Sequence, residues 1–202
     1  MSALTLYDYL VSGNGYKVRL LLHQLERAYE RIELDITRGE TRTPEFLARN
    51  PNGRIPCLVL EDGTPLAESN AILWYLAEGT AFLPSERLAR AQVLQWMFFE
   101  QYSHEPFIAV VRFWIHAGLE SEHADEIPER RRRGVEALGV VEAHLSQRAF
   151  FVGERYSIAD IALYAYTHVA HEGGFDLTGF PAVRAWLARV AEQPRHIPIT
   201  QS

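Results

Sequence analysis

One proline, Pro56, constrains the fold more than any other residue in this sequence. It opens the apolar run 57–60 and follows the turn-forming segment Asn50-Pro51-Asn52-Gly53. Because proline lacks a backbone N–H and has a fixed φ, it suits the first residue of a strand. The residue before a proline is driven towards extended geometry, so Ile55 would offer its backbone N–H and C=O to an extended ligand. With Glu68-Ser69 at the start of a predicted helix, this pattern indicates an edge that binds a small peptide.

The first 79 residues alternate between strand and helix patterns. Apolar residues recur at i, i+3, i+4 and i+7 from Val18 to Leu25, as an amphipathic helix requires, and Asp62-Gly63 suits a tight hairpin turn. The resulting order is β-α-β-α-β-β-α. Its predicted elements are strands at 4–7, 32–36, 57–61 and 65–67, helices at 18–25 and 70–77, and a short helix or irregular connection at 44–50.

The chain changes character near residue 80. The segment from Gly79 to Pro84 has the punctuation of a linker, which is placed at residues 80–86, and residues 87–202 are predicted to form an all-helical domain. Ser157 and Asp160 have the spacing of a capping box, with Ser157 as N-cap and Asp160 at N3. We expect replacement of either by alanine to cost roughly 0.5–2 kcal/mol of stability through loss of the cap.

Composition narrows the class of protein. The formal charge is −6, from 26 acidic and 20 basic residues, which disfavours nucleic acid as a partner. A single cysteine, Cys57, excludes an intrachain disulfide and is expected to be a small buried apolar residue. No apolar run approaches ~20 residues, so no membrane span is expected, and the location is predicted to be cytoplasmic. The eight histidines form no metal-binding motif, and no metal is predicted.

The proline edge, the Glu68-Ser69 pair, the linker and the capping box, in this order, resemble the cytosolic glutathione transferases. The resemblance covers nearly the whole chain. It implies an α/β thioredoxin-like N-terminal domain at residues 1–79, a linker at 80–86, and an all-α C-terminal domain at 87–202. It also implies glutathione as co-substrate, a homodimer, and detoxification of small electrophiles.

The segment Ser12-Gly13-Asn14-Gly15 is a candidate anion site. A hydroxyl, an amide and the free N–H groups of a helix N-terminus can converge there. The segment is similar to that of the serine- or threonine-type branch, particularly bacterial nu-like members, and this implies that Ser12 and Asn14 stabilise the glutathione thiolate. Tyrosine-type transferases use a tyrosine at the end of the first strand, so Tyr7 and Tyr9 remain alternative activators, of which Tyr7 is the stronger candidate. Residues 12–15 have the spacing of a redox C-x-x-C motif, but none of these four residues is a cysteine.

The resemblance also implies the contacts to the rest of the tripeptide. The Ile55-Pro56 edge would bind its backbone, Glu68 its ammonium group, and Ser69 with the helix N-terminus its γ-glutamyl carboxylate. Arg54 would approach the glycyl carboxylate. Thr41 stands where nu-like relatives tend to carry a glutamine that touches the tripeptide.

The electrophile site is expected between the first-strand loop and the first long helices of the second domain. Candidate residues there are Tyr102, His104, Phe107, Arg112 and Trp114. The predicted reaction is conjugation of the thiolate to small apolar electrophiles. Alternatives left open are a glutathione-dependent disulfide reductase or peroxidase, a dienone isomerase, and a non-catalytic glutathione-binding or assembly module.

Overall fold

The computed structural model describes residues 4–201, which divide into two compact units, 4–78 with 194–201 and 79–193. The domain boundaries predicted from the sequence assign residues 194–201 to the helical domain. The structure packs them on the first unit, because two side chains of the first helix hold their carbonyls. Tyr16 Oη donates to Ile197 O at 2.6 Å, and Arg19 Nη1 donates to Ile199 O at 3.0 Å.

The first unit is built on a mixed four-stranded sheet. The strand order is β2-β1-β3-β4, with β1 parallel to β2 and antiparallel to β3, and β3 antiparallel to β4. This confirms the predicted thioredoxin-like order of strands and helices. The bounds are β1 Leu4–Asp8, α1 Gly13–Gln24, β2 Tyr29–Glu33, α2 Pro44–Arg49, β3 Cys57–Val59, β4 Pro65–Ala67 and α3 Ser69–Ala77.

The predicted second strand was placed wrongly, since it ends at Glu33 rather than near Ile36. The cause is local side-chain capping that the alternation of apolar residues did not reveal. The Asp35 carboxylate accepts from Thr37 N at 2.8 Å and starts a 3₁₀ turn at Ile36–Arg38, which Gly39 ends with a φ of 75°. The extended backbone therefore stops before the second half of the apolar pattern.

The core of the first unit lies at the contact between α1 and α3 and includes buried residues of the sheet. Leu6 of β1, Leu20 and Leu21 of α1, and Ile72 and Leu73 of α3 have no exposed surface. Each such side chain contributes about 1.5–3 kcal/mol of burial free energy. This packing fixes the N-termini of α1 and α3, the two helix ends at which the predicted ligand contacts begin.

The second unit is all-helical, as predicted. A π-helical turn, Glu100–His104, joins its first two helices. The core of this unit includes Ile108, Val111, Leu138 and Phe175. None of the helices in residues 4–201 is both long and apolar enough to cross a membrane. The bounds are α4 Arg87–Phe99, α5 Glu105–His116, α6 Ile127–Leu145, α7 Ile158–Thr167 and α8 Pro181–Ala191.

The predicted capping box at the start of α7 is confirmed, and Asp160 has more partners than a cap requires. Its carboxylate accepts from Ser157 N at 2.9 Å, Trp186 Nε1 at 3.0 Å and Phe151 N at 3.2 Å. Complete burial raises the pKa of Asp160 to about 6, against the opposing effect of these donors. Asp160 thus ties α7 to α8 and to the preceding loop.

Candidate functional site

A buried ion pair holds the loop that leads from β1 into α1. Asp8 and Arg19 are both fully buried, with Arg19 Nε donating to Asp8 Oδ2 at 2.8 Å. Asp8 Oδ1 accepts from Tyr9 N at 2.7 Å, and Arg19 Nη2 donates to Leu10 O at 2.5 Å. Burial raises the pKa of Asp8 to about 6, while Arg19 opposes the rise. A side chain at Gly15 would place its Cβ 1.5 Å from Asp8 Oδ1, so the loop closes only over a glycine.

Ser12 is the N-cap of α1. Its Oγ accepts from Gly15 N at 3.3 Å, and its backbone is extended, with φ −71° and ψ 125°. Because a hydroxyl carries one donor hydrogen and two acceptor lone pairs, this cap uses acceptor capacity only. The O–H of Ser12 is therefore still able to donate to an anion at the N-terminus of α1.

Asn14 lies in the first turn of α1 and contacts α3 directly. Its Oδ1 accepts from Lys17 Nζ at 2.7 Å and from Ser69 Oγ at 3.1 Å. Asn14 and Ser69 were expected to touch different ends of the tripeptide, and the structure joins them by a hydrogen bond. Lys17 is fully buried beside them, 3.4 Å from Ser69 Oγ. The sequence reasoning did not identify Lys17, because its helical position indicated no contact with α3.

The proline edge has the geometry of an open strand end. The Ile55-Pro56 peptide bond is cis, and Pro56 is buried while Ile55 is half-buried. The antiparallel ladder with β1 begins at Cys57, so the backbone of Ile55 lies outside it. The preceding turn is held by Asn50, whose Nδ2 donates to Arg54 O at 2.7 Å. The exposed side chain of Arg54 is next to this edge in the chain.

Glu68 has an uncommon backbone conformation. It precedes α3 with φ 68° and ψ 111°, its side chain is exposed, and its carboxylate does not cap the helix. Non-glycine residues rarely adopt positive φ, and such outliers concentrate at binding sites. Thr41, in contrast, is 5% exposed within the 3₁₀ turn Glu40–Arg42, which leaves little surface for a ligand.

The five electrophile candidates differ in exposure within the helical unit. Tyr102 is 83% exposed, whereas the others are buried. His104 Nε2 lies 2.9 Å from Thr167 Oγ1, and Arg112 Nε donates to Glu172 Oε2 at 2.6 Å. Their role in binding an electrophile stays a prediction. The two aromatic members of the buried set contact cations or rings: Trp114 stacks on His123 and Phe107 lies under the Arg133 guanidinium.

Two side chains bear on the alternatives to Ser12 chemistry. The Tyr7 ring packs against Phe46, with ring centroids 5.7 Å apart, and under the Arg49 guanidinium. Burial raises the pKa of the Cys57 thiol to about 11, so this thiol is protonated at neutral pH.

Among residues 4–201, no cluster of three His, Cys, Asp or Glu side chains could hold a metal ion.

Comparison with known proteins identifies relatives over nearly the whole chain. A glutathione S-transferase from Pseudomonas fluorescens Pf-5 is 56% identical, with a TM-score of 0.96, and the match covers 99% of this chain and 100% of that one. The Escherichia coli K12 disulfide-bond oxidoreductase YfcG is 35% identical over 192 residues, 90% of this chain and 87% of the relative. Glutathione transferase URE2P8 from Phanerochaete chrysosporium, solved with oxidised glutathione, is 26% identical, with a TM-score of 0.85 over 96% of this chain and 92% of that one.

The family matches follow the two halves of the fold. Residues 2–78 match the glutathione S-transferase N-terminal domain, and residues 94–194 match the glutathione S-transferase C-terminal domain. With the mixed sheet, the open proline edge and the helical second unit already described, these matches assign the family. The chain belongs to the glutathione S-transferase family.

Proposed function

We propose that this protein is a glutathione transferase that conjugates the thiolate of glutathione to small apolar electrophiles. The observation that carries the proposal is the polar cluster at the N-terminus of α1, where Ser12 caps the helix and Asn14 is bonded to Ser69 of α3. Cytoplasmic location and a homodimer are further proposals, supported by the family resemblance alone.

The chemical task of such a site is to ionise a thiol. A free thiol of this type has a pKa of ~8.5, so at neutral pH it is mostly protonated and a poor nucleophile. The Ser12 O–H, the amide of Asn14 and the N–H groups at the start of α1 are donors that stabilise the charged form. Ionisation at neutral pH then supplies the nucleophile for attack on the electrophile.

The rest of the tripeptide would bind along the same unit. The backbone of its cysteinyl residue would pair with Ile55, outside the existing ladder. The exposed carboxylate of Glu68 would meet the ammonium group, and the N-terminus of α3 at Ser69 would meet the γ-glutamyl carboxylate. Arg54 would meet the glycyl carboxylate. Thr41 is the least supported of the proposed contacts, because it is buried.

A glutathione-dependent disulfide reductase is the second candidate function. It is favoured by the 35% identity to YfcG, whose name is disulfide-bond oxidoreductase. With no cysteine at residues 12–15 and Cys57 buried, glutathione would supply both thiols. One glutathione thiolate displaces a thiolate from the disulfide, and a second displaces the product thiolate from the mixed disulfide to give oxidised glutathione.

The test combines binding, ionisation and turnover. We expect calorimetry to detect glutathione binding, and absorbance of the bound thiolate to titrate below the free pKa of ~8.5. Ser12→Ala should raise that pKa by about one unit or more. Thr43→Ala is a matched control, since Thr43 caps a different helix, α2, through an equivalent bond: its side-chain oxygen accepts from Phe46 N at 3.3 Å. It should lose similar stability and leave the thiol pKa unchanged.

Turnover of a substrate panel separates the candidate functions. Faster reaction with aryl halides or isothiocyanates than with 2-hydroxyethyl disulfide supports the transferase, and the reverse order supports the reductase. Binding with an unchanged thiol pKa and no turnover would favour a non-catalytic glutathione-binding module.

A further inference from the structure

Lys17 is the only lysine in this chain. Lysine and arginine together number 20, and the other 19 are arginines. Lys17 also has no exposed surface, which is rare for a lysine. Burying an ammonium group is costly unless its donors are satisfied, so its position calls for a physical reason.

The contacts of Lys17 connect two helices at the candidate site. Its Nζ donates to Asn14 Oδ1 at 2.7 Å, one turn earlier in α1, and lies 3.4 Å from Ser69 Oγ at the start of α3. Ser69 Oγ donates to the same Oδ1 at 3.1 Å. Two donors on one oxygen fix the side-chain amide of Asn14, because turning it over would place its NH₂ against an ammonium group and a hydroxyl.

We infer that Lys17 is a positioning residue of this site, which orients Asn14 and Ser69 and lowers the pKa of the thiol bound beside them. The inference rests on the proposed function and adds a residue to it. A fixed positive charge near a thiolate favours the ionised form, and burial keeps the charge from being screened by water. The same ammonium would link the thiol end of the site to the γ-glutamyl end.

Lysine and arginine differ in ways that matter at this position. The ammonium is a compact point charge with three donors, whereas guanidinium is a planar fork that needs more width. The distances from Nζ to Asn14 and to Ser69 suit a single tetrahedral nitrogen between two helices. Arginine would preserve the charge but displace one of the two partners.

The first test uses two substitutions, one that removes the positive charge and one that retains it. Lys17→Met keeps the length and removes the charge, and Lys17→Arg keeps the charge. For Lys17→Met we expect about tenfold weaker glutathione binding and a bound-thiol pKa about one unit higher than in the wild type. Its activity should fall most at pH 6.5 and recover towards pH 9, where the thiol ionises without help. Lys17→Arg should retain the thiol pKa within about half a unit while weakening binding.

A merely structural role would give a different result. Lower stability or weaker binding in Lys17→Met, with the bound-thiol pKa and the shape of the pH profile unchanged, would overturn the inference. Circular dichroism and urea unfolding of both variants would establish that the measured changes belong to the folded protein.

A second measurement needs no variant, since a single lysine gives a single signal. Wild-type protein labelled with ¹³C-lysine should show one Cε resonance in a proton–carbon spectrum. When glutathione is bound, we expect the chemical shift of this resonance to change with pH as the thiol ionises. With S-methylglutathione, which has no ionisable thiol, we expect no such change. Identical pH dependence in the two complexes would overturn the inference even if Lys17→Met did not fold.

The wild-type arm distinguishes this inference from the proposed function. If the wild type does not bind glutathione, or binds it with an undepressed thiol pKa, the proposed transferase mechanism fails and the inference with it. If the wild type lowers the pKa and Lys17→Met lowers it equally, only the inference fails.

Discussion

Replacing Glu68 by glycine should make the protein more stable and weaken its binding of glutathione. The backbone at Glu68 has φ 68° and ψ 111°, outside the regions that residues with a Cβ favour. Such a conformation costs about 1–3 kcal/mol. Glycine adopts it freely but loses up to ~1 kcal/mol more backbone entropy on folding. The difference is a gain of about 1 kcal/mol in the free energy of unfolding for Glu68→Gly.

The same substitution removes a proposed ligand contact. A hydrogen bond to a charged group contributes about 1.5–3 kcal/mol when buried and less at an exposed residue such as Glu68. We therefore expect glutathione to bind about tenfold more weakly to Glu68→Gly. Urea unfolding measures the first effect, and calorimetric titration with glutathione measures the second.

Two further variants separate strain from charge. Glu68→Gln keeps the backbone strain and loses the charge, so it should bind weakly with no gain in stability. Glu26→Gly changes another exposed glutamate with positive φ, 55°, just after the C-terminus of α1. It should gain up to about 1 kcal/mol with no change in glutathione affinity. Unchanged affinity in Glu68→Gly would refute the assigned contact, and unchanged stability would refute the strain.

Three other expectations concern stability and can be measured by urea unfolding. Asp160→Ala should lower the free energy of unfolding by about 3–5 kcal/mol, which is more than the loss of a helix cap alone. The reason is that Phe151 N, Ser157 N and Trp186 Nε1 all lose their hydrogen-bond acceptor. A loss near ~1 kcal/mol would contradict this expectation. The pKa of Asp160 in the native state is raised from 3.8 to about 6. Between these two pH values the native protein keeps the carboxyl group of Asp160 protonated, whereas the unfolded chain releases the proton. That stabilisation is complete below pH 3.8 and is lost as pH rises through about 6. The difference in free energy of unfolding between the wild type and Asp160→Asn should therefore favour the wild type by about 1 kcal/mol more at pH 5 than at pH 7. A difference that does not change with pH would refute the raised pKa of Asp160. Gly15→Ala, whose Cβ would lie 1.5 Å from Asp8 Oδ1, should cost about 3 kcal/mol, whereas Gly139→Ala, with nothing within 4 Å, should gain up to about 1 kcal/mol.

The parts of the fold that the sequence predicted correctly depend on local signals. The α1 periodicity, the proline at the start of β3, the Asp62-Gly63 turn and the capping box at Ser157 each act over a few residues. A pattern that depends only on neighbouring residues can be read from one chain.

What the sequence could not predict depends on long-range contacts or on side chains that override a pattern. The Asp35 cap shortened β2 although the apolar alternation continued. Residues 194–201 carry no helical periodicity, and their docking on Tyr16 and Arg19 is visible only in the fold. Trp186 bonds to Asp160 across 26 residues, and Lys17 meets Ser69 across 52.

A crystal structure of the wild-type protein with glutathione would show where the tripeptide and its sulfur lie. We expect the cysteinyl backbone to pair with Ile55 and the sulfur to lie within about 3.5 Å of Ser12 Oγ or the Asn14 amide. An empty edge at Ile55-Pro56, or bound glutathione whose sulfur points away from residues 12–15, would refute the proposed binding of a thiolate at this site.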